Sequence, residues 1–117
     1  MGTVTQMNRA NALRRLGELT QDAAIYRAAI EGYDHALEVL IRAAMPAVWA
    51  LTQMNRAIAL GRLGELTQDA ARYRAAIEGY DLALKVRTRE AMPADWATTQ
   101  VSRAIALWRL VALTQDA

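Results

Sequence analysis

Between Pro46 and Leu66 the apolar positions Met54, Ala57, Ile58, Gly61 and Gly64 recur at spacings of three and four, the period of one face of an α-helix, with Trp49 preceding them by five. After the segment "LTQDA", a second stripe of the same period runs through Tyr73, Ala76, Ile77, Tyr80, Ala83 and Leu84. The same pattern occurs earlier and later in the chain, so it predicts five helices, near 3–18, 21–43, 46–66, 68–90 and 93–113. The punctuation agrees. Pro46 and Pro93 suit the first helical position, where a missing N–H costs nothing, and Asp95 just inside complements the helix dipole. Thr67 is the expected N-cap of the fourth helix, with Asp69 as a favourable first-turn charge. No segment reads as a strand, because alanine dominates, Phe is absent and β-branched runs are few.

Laying residues 4–50 on 51–97 reveals the larger period: "VTQMNRANALRRLGELTQDA" returns as "LTQMNRAIALGRLGELTQDA" and again, more loosely, as "TTQVSRAIALWRLVALTQDA" at 98–117. A 47-residue unit therefore occurs twice in full and once in part, within one all-α helical-repeat domain spanning 1–117. The expected architecture is five antiparallel helices alternating A-B-A-B-A. One helical pair cannot bury its apolar face alone, which explains why the unit repeats. Recent duplication and an engineered repeat scaffold both produce such high internal identity.

Composition removes several function classes. The chain is 54% hydrophobic, and 14 Lys+Arg against 12 Asp+Glu leave a net charge of +2, too small a field to favour nucleic acid or an anionic membrane. It contains no Cys, hence no disulfide framework or thiolate chemistry. The N-terminus does not read as a signal peptide, and no apolar run reaches the length of a membrane span. The expectation is a soluble, cytoplasmic protein.

The string "YRAAIEGYDLALKV" resembles the second helix of a tetratricopeptide repeat, with Ala76, Tyr80 and Ala83, and likewise Ala29, Tyr33 and Ala36, at its small-aromatic-small spacing. "TQMNRAIALGRLGEL" resembles the first helix of long bacterial variants of that repeat. The resemblance covers essentially the whole chain and implies a helical-pair solenoid that binds protein. The period of 47 exceeds the family's usual length, and Ala57 and Arg56 stand where the family usually has Gly and Leu.

Chemistry is not indicated. Gly17 and Gly64 lie near helix ends rather than in a phosphate-binding loop after a strand. His35 is the only histidine and becomes Leu82 in the second unit, so it reads as a packing residue rather than a metal ligand or general base. Glu31/Asp34 and Glu78/Asp81 read as a solvated helix face, and Trp49 and Trp96 as core anchors. No catalytic residue, cofactor or metal is expected.

Two non-enzymatic readings follow. In a peptide-binding adaptor, polar residues of successive A helices line a groove: Gln6, Asn8, Arg9 and Asn11, then Gln53, Asn55 and Arg56, then Gln100, Ser102 and Arg103. The replacement of Asn11 by Ile58 and Ile105 interrupts that row. In a self-assembling scaffold, the differences between units mark the contacts. Ile25, Leu40, Ile41 and Val48 of the first unit become Arg72, Arg87, Thr88 and Asp95 in the second, which predicts an exposed apolar patch on the first. Asn11 and Arg14 read as a polar cap on the first helix, whereas the last helix carries Trp108, Val111 and Ala112 where the second unit has Gly61, Gly64 and Glu65. The leading expectation is a homo-oligomer joined through the terminal helix and the first-unit patch, either head-to-tail or across a two-fold axis.

Overall fold

The computed structural model describes residues 2–115 and places five α-helices in them: α1 Thr3–Thr20, α2 Ala23–Leu37, α3 Pro46–Thr67, α4 Ala70–Leu84 and α5 Pro93–Thr114. No strand occurs among the described residues. Each helix packs chiefly on its neighbours in sequence, while α1, α3 and α5 touch one another only lightly. The result is a stack of A-B pairs measuring 45 × 34 × 21 Å, its short axis about two helix diameters thick.

Pro46 and Pro93 occupy the predicted first helical positions, and Asp95 lies in the first turn of α5. The capping of the B helices differs from expectation. Asp22 and Asp69 are the N-caps, each accepting a bond from the N–H two residues on through Oδ1 (2.9 Å). Thr67 is instead the last residue of α3, and its hydroxyl donates back to the Leu63 carbonyl. Between the helices Gln21 and Gln68 take the left-handed conformation, φ 53° and 51°, and their side-chain amides bond the Glu18 and Glu65 carbonyls.

The B helices also end earlier than the periodicity suggests, at Leu37 and Leu84 rather than near 43 and 90. The Ala36 carbonyl accepts from both Val39 and Leu40, and the Ala83 carbonyl from both Val86 and Arg87, so the last turn tightens and the chain reverses. Leu37, Leu40 and Ile41 keep three-and-four spacing through this turn, so spacing alone cannot mark the helix end.

Close approach of A and B helices depends on one glycine per unit. A Cβ added to Gly32 would lie 3.0 Å from the Ala10 Cβ, and one added to Gly79 would lie 2.9 Å from the Ala57 Cβ. Ala10 and Ala57 are fully buried, so these are the crossing points of α1 on α2 and of α3 on α4. Tyr26, Tyr33, Leu60 and Leu63 fill the space on either side.

Candidate functional site

The polar rows of the A helices hold the repeat together. Arg56 Nε donates to Asp34 Oδ1 and Arg103 Nε to Asp81 Oδ1, both at 2.6 Å, so each ties an A helix to the preceding B helix. Asn11 and Arg14 do not cap an outer face: the Tyr33 hydroxyl donates to Asn11 Oδ1 (2.6 Å) and accepts from Arg14 Nε (3.3 Å), while Asn55 Nδ2 adds a bond to the same Asn11 oxygen (3.2 Å). Arg14 also pairs with Glu18. Gln6, Gln53, Gln100 and Ser102 are half-buried, and Asn8 and Arg9 are exposed. Leu16 and Leu19 of α1 are exposed, the latter 84%, among the exposed polar residues Thr5, Asn8, Arg9 and Arg15.

The second unit handles the same tyrosine differently. Ile58 and Gly61 replace Asn11 and Arg14, so no side chain reaches the Tyr80 hydroxyl, and burial pushes that phenol up to about 12. The space the arginine would fill is an open cleft of about 210 Å³ lined by Ile58, Gly61, Tyr73, Tyr80 and Ile105, with Arg62 and Arg109 at its rim. Arg109 is engaged with Glu65 at 3.1 Å.

The first-unit patch largely dissolves. Leu40 is 3% exposed, and Ile25 and Val48 are half-buried, because the tightened turn after α2 aims Leu40 into the core. Arg87 takes the same seat in the second unit and is 7% exposed, against the expectation that charge at this position signals solvent. Its NH1 lies 2.9 Å from the Met54 sulfur, and its Nε has no partner. Only Ile41 of the four is exposed, accompanied in the same turn by Val39 and Met45, which comparison of the units missed because valine and methionine recur in both.

His35 is exposed rather than packed, and no cluster of metal-ligating side chains occurs among the described residues. Trp49 and Trp96 are half-buried, each with a guanidinium, Arg42 or Arg89, 5.9 Å from its ring centre. No described helix is long and apolar enough to cross a membrane.

The terminal helix keeps the predicted open face. Trp108 is 71% exposed, Val111 51% and Ala112 exposed. They belong to a longer stripe, Ala97, Val101, Ala104, Trp108 and Val111, at steps of four and three, with Ile105 beside it, and all of these are exposed. The equivalent positions of α3 are Ala50, Met54, Ala57, Gly61 and Gly64, and four of these five are buried. At Ala57 and Gly64 that face meets α4, through Gly79 and through Arg72 and Tyr73. The small residues Ala97 and Ala104 escape a comparison of units because they are unchanged; their four-and-three spacing was the available signal.

The chain matches no family model, no curated protein and no solved structure.

Proposed function

We propose that this chain is a non-enzymatic, tetratricopeptide-like scaffold that assembles with itself, using the outward face of α5 as the principal contact. The supporting observation is the exposed stripe from Ala97 to Val111, centred on Trp108, on a helix whose opposite side carries the buried Thr99 and Ala106. Covering a large side chain of this kind contributes on the order of 1.5–3 kcal/mol, so an uncovered stripe of this size favours association. Peptide capture by the polar rows is the weaker reading, since Asn11, Arg56 and Arg103 are already held by Tyr33, Asp34 and Asp81.

The test is sedimentation of the parent chain and of the Trp108→Gln/Val111→Gln variant at micromolar concentration. The expected result is an oligomer that the double substitution dissociates while the helical circular dichroism is unchanged. A monomeric parent overturns the reading.

A further inference from the structure

Resting on that self-assembly reading, we infer that the occupant of the α5 face is the α5 helix of a second copy, lying antiparallel across a two-fold axis between Ser102 and Arg103. Three observations carry this inference.

The first is steric. In the two earlier units the equivalent face receives a B helix, and the glycines there are what let it sit. A Cβ on Gly17 would lie 3.1 Å from the Tyr26 ring, and one on Gly64 would lie 3.2 Å from the Arg72 Cβ and 3.3 Å from the Asp69 carbonyl oxygen. Val111 occupies that position on α5 and carries two methyls beyond its Cβ, so a B helix seated as α4 sits on α3 would collide with it. Whatever covers this face approaches differently from the repeat's own second helix.

The second is self-complementarity. The stripe alternates in steps of four and three, as the facing positions of paired helices do. Run antiparallel against itself with facing residue numbers summing to 205, it sets Val111 against Ala94, Trp108 against Ala97 and Val101 against Ala104 of the other copy, and each pair occurs twice by symmetry. Every bulky residue meets an alanine, so the two surfaces interdigitate at near-constant separation. A parallel pairing stacks Trp108 on Trp108 and alanine on alanine, which leaves gaps at one end and crowding at the other.

The third is charge. The charged residues of α5 are Asp95, Arg103 and Arg109, and all lie toward the protein's own core; Arg103 bonds Asp81 and Arg109 bonds Glu65. The outward half has none. A lipid surface is met by helices with Lys and Arg flanking their apolar face, which α5 lacks. A second identical uncharged stripe buries no ion, and the antiparallel arrangement also opposes the two helix dipoles.

The chain has no cysteine, so single substitutions report the register cleanly. Along the pair, residue 104 and its symmetry mate are offset by about 4.5 Å and residue 97 and its mate by about 16 Å, at about 1.5 Å rise per residue. Ala104→Cys and Ala97→Cys variants of the whole chain are each treated with a short bis-maleimide, after sedimentation and circular dichroism confirm mass and helicity. The expected result is a dimer that cross-links efficiently at 104 and at least tenfold less at 97. A dimer cross-linked equally at both is parallel, which overturns this inference and leaves self-assembly through α5 standing. One cross-linked at neither uses another face, which overturns this inference and the choice of α5 as the contact while the chain still self-assembles. A monomer overturns both.

Discussion

Tyr33 and Tyr80 occupy the same place in consecutive repeats and are accommodated in opposite ways. Tyr33 is one member of a network with Asn11, Arg14 and Asn55, whereas Tyr80 faces Ile58 and the gap beside Gly61. The backbone tolerates either solution, because the Gly32–Ala10 and Gly79–Ala57 crossings set the helix spacing in both units. Spacing is thus fixed by the smallest residues, and the polar chemistry between helices is free to diverge.

The largest expected consequence is alkaline. Burial raises the pKa of all four tyrosines, and Tyr80 reaches about 12. Below pH 10 both folded and unfolded chains keep the phenolic protons. As the pH rises from 10 towards 12 the unfolded chain releases protons the folded one retains, so stability falls. For Tyr80 alone the loss is on the order of 2–3 kcal/mol. Urea unfolding at pH 8 and pH 11 captures about half of it, about 1.4 kcal/mol, and Tyr80→Phe reduces the difference; an unaltered pH dependence in that variant refutes the assignment to Tyr80.

Next in size is the seat shared by Leu40 and Arg87. Arg87 holds a guanidinium away from water with a thioether as its hydrogen-bond partner, where the first unit has an aliphatic side chain. Arg87→Leu makes the units alike and is expected to stabilise the fold by about 1–2 kcal/mol, as removal of an unpaired buried charge does. The reverse change, Leu40→Arg, lowers the denaturation midpoint. Thermal melts of the two variants moving in the same direction would show that the seats are not equivalent.

These seats show how far the sequence could be read. Period and proline located the A helices to within about two residues, because both signals act locally. The ends of the B helices and the fate of Leu40 were hidden, since three-and-four spacing runs unbroken through a turn whose closure is a backbone matter at Ala36 and Ala83. Thr67 and Asp69 are both good capping residues, and only the geometry chooses between them. The replacement of Leu40 by Arg87 looked like exposure because a long charged side chain is usually solvated, yet its aliphatic stem can also fill a core seat. The open face of α5 was legible through Trp108 and Val111, which interrupt a glycine pattern; Ala97 and Ala104 carry no such mark.

The tyrosine comparison itself is sharpened by matched substitutions. Tyr33→Phe removes the hydroxyl that bridges Asn11 and Arg14, leaving them their bonds to Asn55 and Glu18, and is expected to cost about 1 kcal/mol, the usual net value of a hydrogen bond in a half-buried site. Tyr80→Phe removes a hydroxyl with no side-chain partner, so at pH 7 its effect is expected near zero. Equal losses at the two positions, measured by chemical denaturation, would mean that a solvent-mediated partner serves Tyr80.

The smallest effect should be the same in both units. Arg56–Asp34 and Arg103–Asp81 are each 2.6 Å long and join an A helix to the preceding B helix, with the acids about half exposed in both cases. Half-exposed pairs are screened by water and salt, so each contributes about 0.5 kcal/mol. Asp34→Ala and Asp81→Ala are therefore expected to lower stability by similar small amounts, and the loss should shrink in 1 M salt, where the screening length is about 3 Å. This pair of variants is the control for the tyrosine pair. If the repeats really share one frame and differ only where their side chains differ, a contact conserved in both must carry equal weight. A loss at Asp34 several times that at Asp81 would place the difference between the units in the frame itself.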